Sequence, residues 1–239
     1  MANHIVTPDG RRLKKVATRT TTPVDDSSAK AVNVEAPRVC YNMPDEEFFP
    51  LMIRLRDKAV RLMGDRLAEL SRWNAADRDK VLLWFGEDSD TTRQALSDGL
   101  TRMREIMRGL AERNFVKFTP EGVRAVGCEP RKDSLAAASV CKPDGTYTIF
   151  IGTIFCDMEK EANRYDGIPF AKDSKLVTLI HEVAHFPKSM NAKDHWYNIT
   201  NSQGRAAARD QFCIDNADNI AAYVVNVPNW RGDVPVWRP

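Results

Sequence analysis

Between residues 181 and 194 the chain holds side chains able to grip a metal ion and use it. His181-Glu182-Val183-Ala184-His185 spells H-E-x-x-H within the apolar run Leu176–Phe186. On a helix, positions four apart stack on one face, so both imidazoles project together toward one ion. Glu182 follows its histidine directly and points about 100° away from it. From there it can reach a water on the metal without being a ligand. Two imidazole nitrogens and a carboxylate base are the groups a zinc hydrolase needs. The setting supports this reading, because Leu176, Val177, Leu179, Ile180, Val183 and Ala184 mark the helix as buried. Burying two imidazoles and a carboxylate there is costly unless something pairs with them. Histidine is otherwise scarce, with only His4 and His195 besides.

A third ligand must come from further along. The position six residues past His185 is Asn191, and no glutamate follows Glu182. The remaining donors are Asp194, His195, Asp210, Asp215, Asp218 and Asp233. Asp194 lies nine residues past His185, beyond a turn begun by Pro187, and that loop is long enough to return over the helix. Two histidines, one aspartate and a water would complete a tetrahedral catalytic site. His195 reads as loop surface beside that site rather than as a donor.

The pieces His181–His185, Lys193-Asp194-His195-Trp196-Tyr197 and Asn216-Ala217-Asp218-Asn219 together resemble the deuterolysin and peptidyl-Lys metalloendopeptidase family, the aspzincins. Fainter echoes are Trp84-Phe85-Gly86 and Tyr147–Ile151, so the likeness runs over about residues 40–226. It implies a zincin-like α+β fold and a zinc-dependent endopeptidase acting on proteins or peptides, with one Zn²⁺ per chain. By the same likeness His181, His185 and Asp194 are the ligands, Glu182 the base, Tyr197 the oxyanion donor, and Asp218 lines the pocket for the residue after the cut. The chain departs from the family at Met190 and Asn191, where a Gly-Thr pair is usual, and at Asn198, where a glycine is usual. Lysine-specific members also carry a glutamate at the position of Ala221.

The elements that must position these groups are legible in part. Pro44 followed by Asp45, Glu46 and Glu47 is a good helix start, and Leu51, Leu55, Ala59, Leu62, Leu67 and Leu70 then recur at helical spacing. Asn74 can cap a second helix through Leu83, and Ser89 or Asp90 a third running to about Arg113, whose Leu100, Met103, Met107 and Leu110 stripe reads as core. From Val116 to Met158 the period shifts toward two. Val123–Val126, Leu135–Val140 and Tyr147–Phe155 read as strands of a small, mostly antiparallel sheet, the last pair a hairpin about Pro143-Asp144-Gly145. Tyr147–Ile151 is the candidate edge for binding an extended substrate, which makes Tyr147 and Ile149 candidate substrate contacts. Gly204–Val225 reads as a C-terminal helix, with Asn216, Asp218 and Asn219 as poor helix formers inside it. The tail with Pro228, Trp230, Pro235 and Trp237 reads as irregular chain.

The 239 residues suit one domain, 39–239, behind a disordered leader, 1–38, that carries seven Lys/Arg against four Asp/Glu. A net charge of +2 argues for neither nucleic acid nor membrane as partner, and no apolar run approaches the roughly 20 residues of a membrane span. No apolar stretch follows Arg11, Arg12, Lys14 and Lys15, so the expected route is secretion without a signal peptide, as for an effector or toxin, or else residence in the cytoplasm. Secretion machinery or an immunity protein are the partners such a route implies. A protein-binding module that keeps the metal for structure alone is the rival to an enzyme. Five cysteines, Cys40, Cys128, Cys141, Cys156 and Cys213, show no C-x-x-C. The resemblance adds bridges such as Cys40–Cys128 or Cys128–Cys141, and reduced, buried thiols are the other reading.

Overall fold

A computed structural model describes residues 4–6, 12–14, 38–130, 136–163, 167–170 and 172–228. The chain divides into two units, Met1–Arg38 and Val39–Pro239. In the first, β1 (His4–Val6) and β2 (Arg12–Lys14) pair antiparallel with Ile5 opposite Leu13. The rest of the expected disordered leader, apart from Arg38, lies outside the described residues, as do Trp230, Pro235 and Trp237.

The second unit begins with three helices that the capping residues announce. α1 (Asp45–Arg72) opens with Asp45, Glu46 and Glu47 at its positive end. Asn74 and Asp77 form a reciprocal capping box for α2 (Ala75–Phe85), each bonding the other's backbone. The Ser89 hydroxyl accepts from the Thr92 amide to start α3 (Asp90–Gly109). Leu100, Met103, Met107 and Leu110 are all buried, as core.

The sheet is mixed rather than mostly antiparallel. β3 (Phe115–Lys117) runs parallel to β5 (Ile149–Ile151), and β4 (Ala138–Val140) pairs antiparallel on its other side. The order β3-β5-β4 puts β5 in the centre. The Tyr147–Ile151 edge expected from the sequence is therefore not an edge: Ile149 is paired on both sides and buried. Val123–Val126 is not a strand either. The Thr119 hydroxyl accepts from the Gly122 amide and Pro120 takes the first position of a short helix, α4 (Pro120–Ala125), so these start signals carry Val123–Ala125 into a helical turn. Beyond β5 the chain turns into α5 (Thr153–Asp157) rather than continuing extended.

α6 (Lys175–His185) carries H-E-x-x-H and packs against α1, α3, α8 and β4, where α8 is Ala217–Val225. The single C-terminal helix read from Gly204 is in fact α7 (Ile199–Ala207), a 3-10 turn (Gln211–Asp215) and α8: Asp210 starts the turn by accepting from the Phe212 amide, and the Asn216 side chain is drawn off to the distant His195 amide. Disulfides join Cys128 to Cys141, one of the expected pairs, and Cys40 to Cys156, which replaces the other. Cys213 is free and buried, and burial pushes its thiol up to about 12. No helix among the described residues is long and apolar enough to cross a membrane.

Gly86 ends α2 with φ +72 where α7 approaches; a Cβ there would lie 2.4 Å from the Ala206 carbonyl oxygen. Gly86→Ala should therefore cost about 2 kcal/mol or more from left-handed strain and a backbone collision. Urea denaturation measures it, and a loss under about 0.5 kcal/mol would show that the α2–α7 approach is looser than described.

Candidate metal centre

Ser174 starts α6 by accepting from the Val177 amide. Leu179, Ile180, Val183 and Ala184 are buried, leaving His181, Glu182 and His185 as the polar groups of the second half. At its end the chain doubles back: the Asn191 amide donates to Phe186 O (3.2 Å) and the Ala192 amide to Ala184 O (3.0 Å). Residue 193 is then stitched to the start of α8, with Lys193 N on Asp215 O at 2.7 Å and Ala217 N on Lys193 O at 3.0 Å. This brings Asp194 over the histidines. His181 Nε2 and His185 Nε2 are 3.1 Å apart, and Asp194 Oδ1 is 3.1 and 3.2 Å from them.

The other ring nitrogens decide what those three atoms are. His185 Nδ1 donates to the Ala192 carbonyl at 2.9 Å, and His181 Nδ1 to Asp218 Oδ1 at 2.6 Å. Both acceptors can only accept, so in the neutral rings each Nε2 keeps its lone pair. Two nitrogen lone pairs and a carboxylate oxygen thus converge, an arrangement that repels itself unless a cation sits among them. Four tetrahedral ligands at about 2.0–2.1 Å from zinc lie about 3.3–3.4 Å from one another, close to the spacing seen here. The residues fit a divalent ion.

The electrostatics agree. Burial alone would lower the His181 pKa, but its bonds to Asp194 and Asp218 outweigh that and lift it well above 6.5. Burial alone would raise Asp194, but its bonds to the two imidazoles hold it far below the usual carboxylate range. The cluster demands positive charge, from a proton on His181 or from a metal ion. Glu182 is buried with no hydrogen-bond partner among the described residues, and burial raises its pKa despite the nearby imidazoles.

Of the donors left open by the sequence, Asp194 is the one that meets both histidines among the described residues. His195 turns away, with Nε2 on Asp215 at 2.8 Å and its ring stacked on Phe212 at 4.6 Å. Asp210 caps the 3-10 turn, and Asp233 lies outside the described residues. Tyr197 is beside the cluster, its exposed hydroxyl donating to Asp194 Oδ2 at 3.0 Å. Asp218 does not stand free in a pocket: Oδ1 takes His181 and Oδ2 takes the Asn198 amide at 2.7 Å. Tyr147 packs its ring on Phe186 at the end of α6, and Ile149 is buried core, so the Ile149 side chain is not a substrate contact.

Sequence reasoning missed the work of two asparagines. Asn216 Oδ1 accepts from the His195 and Trp196 amides, which fixes the segment beside Asp194. Asn219 Oδ1 accepts from Asn216 Nδ2 (2.8 Å) and Trp196 Nε1 (3.1 Å), while its own amide donates to Trp84 O at 2.6 Å. Their poor fit to a helix was the available signal. Asn198 has φ 86, a conformation that asparagine tolerates better than most residues.

A model of the aspzincin family, described as lysine-specific metallo-endopeptidase, matches residues 71–225. The peptidyl-Lys metalloendopeptidase of Pleurotus ostreatus is 30% identical over 88 residues, 37% of this chain. That match spans about half of the relative's length, 52%. The zinc peptidase from Grifola frondosa superposes with a TM-score of 0.57 over 75% of this chain and 95% of that one; at 17% identity this likeness speaks for the fold.

If Asp218 orients His181 for a metal, Asp218→Ala should weaken zinc binding about 10- to 100-fold, measured by competition with a chromogenic chelator. An affinity equal to that of the unmutated protein would show that the carboxylate does not tune the ligand.

Proposed function

Because the chain belongs to the lysine-specific metallo-endopeptidase (aspzincin) family, we propose that it is a zinc-dependent endopeptidase in which His181, His185 and Asp194 hold the ion. The observation that carries this reading is the convergence of three donor atoms within 3.1–3.2 Å, with both Nδ1 atoms already committed to acceptors. When bound, the ion supplies Lewis-acid chemistry, acidifying water and polarising a carbonyl oxygen. Glu182, one residue from His181 and without a hydrogen bond among the described residues, takes the proton of the attacking water. Its raised pKa suits a base that must give that proton on to the leaving amine. The Tyr197 hydroxyl, now on Asp194 and exposed, is placed to swing toward the oxyanion of the tetrahedral species.

An extended substrate would pair with β4, the outer strand next to α6, rather than with the central β5. The Pleurotus relative's name specifies cleavage at lysine. Here both Asp218 oxygens are engaged and Ala221 is buried, so the grip on a lysine side chain is weakened. The two disulfides support a working place outside a reducing cytosol.

Zinc-loaded protein incubated with a denatured protein mixture should release new peptide termini identifiable by mass spectrometry, with lysine only mildly preferred after the cut. Glu182→Gln should retain one zinc yet lose about 10²–10⁴-fold in rate. Turnover in that variant within tenfold of the unmutated enzyme would rule out Glu182 as the base. Bound zinc with no turnover in either protein would favour a binding module instead.

A further inference from the structure

Lys142 reaches the metal cluster from a part of the chain far from it in sequence. Its Nζ donates to the Ala192 carbonyl at 2.8 Å and lies 3.3 Å from Asn191 Oδ1. The Ala192 carbonyl is the same atom that receives His185 Nδ1 at 2.9 Å. One carbonyl therefore carries both the ligand histidine and the lysine, and a shift of that oxygen turns the imidazole.

The lysine stands on a rigid support. Its neighbour Cys141 is bridged to Cys128. Two residues on, the buried Asp144 carboxylate takes the Thr146 amide (2.8 Å), the Thr146 hydroxyl (2.6 Å) and the Thr148 amide (2.7 Å), locking the turn between β4 and β5. The segment it braces needs a brace. Asn191 sits at φ 51, in the left-handed region. Partial burial lowers the Lys142 pKa, and the charge of Asp194 opposes that shift.

We infer that Lys142 is a positioning residue for the metal site: it pins the Ala192 carbonyl so that His185 presents Nε2 to the ion, and it holds the 191–192 turn that delivers Asp194. The inference rests on the zinc-peptidase reading and adds to it a residue outside the ligand set. Lys142 bonds the 191–192 turn and, among the described residues, makes no hydrogen bond to His181, His185 or Asp194.

The test compares full-length K142M, which keeps the length without the donors, with K142R, which keeps donors and charge. Zinc affinity is read by chelator competition, the ligand field by the visible spectrum of the cobalt(II)-loaded protein, and folding by the melting temperature of the metal-free protein. K142M should bind zinc about tenfold more weakly or worse, the scale of an outer contact to a ligand, and its cobalt bands should shift. K142R should recover affinity to within about threefold on the same scale, and the metal-free melting temperature should stay put in both. Unmutated zinc affinity and cobalt spectrum in K142M would overturn the inference, as would an equal loss in K142R. A fall in melting temperature alone would also overturn it, leaving the lysine as ordinary surface bracing. His185→Ala separates the two readings. If the unmutated protein binds zinc no better than His185→Ala, the peptidase reading fails together with this one; if it does bind better and K142M is unaltered, the role of Lys142 alone is lost.

Discussion

Three electron-rich atoms, two imidazole nitrogens and a carboxylate oxygen, are forced to within 3.1–3.2 Å of one another in a buried setting. Nothing about that arrangement is favourable by itself. A hydrogen bond at each Nδ1 removes the simple escape, which would be to turn a proton inward from a neutral ring. Positive charge among them resolves the repulsion, and the surrounding chain holds the three atoms at that spacing. What fixes the three atoms at that spacing is the hydrogen bonding and packing of the segments that carry them.

The offsetting structure lies mostly in the first turn of α8 and its approach. Asn216 receives the amides on either side of the His195–Trp196 bond, Asp218 joins His181 to Asn198, and Asn219 ties Trp196 to the end of α2 through Trp84 O. Ala217 is fully buried between them. Each polar side chain in this run satisfies groups from a different segment, so removing any one leaves buried partners unpaired. That explains why a short polar stretch can sit inside an apolar core. α1 and α3 contribute in another way: they pack on α6 and fix its axis, while Arg102 of α3 donates to Ser189 O in the turn just beyond.

How much of this was legible in the sequence varied with how local the cause was. Caps and periodicity located α1, α2 and α3, because Asn74, Asp77 and Ser89 act within three residues of themselves. Spacing placed His181 and His185 on one face for the same reason. Thr119-Pro120-Glu121-Gly122 misled because its residues serve a turn and a helix start equally well, and the helix they start is only six residues long. The central position of β5 was hidden, since strand order depends on its parallel pairing with β3, where Phe115 meets Ile149 from far upstream in the chain. The likeness to a known family brought Asp194 and Asp218 forward but not what Asp218 grips, which depends on how α8 lies against α6. Lys142 carried no sequence signal at all, because its partner is a backbone carbonyl.

The convergence of His181, His185 and Asp194 on one ion is most directly tested by diffraction at the zinc absorption edge from crystals grown with zinc. The account predicts a single strong anomalous peak about 2.0–2.2 Å from both Nε2 atoms and an Asp194 oxygen. A peak held by the two histidines with Asp194 more than about 3 Å away, or coordinated through Nδ1, would contradict it.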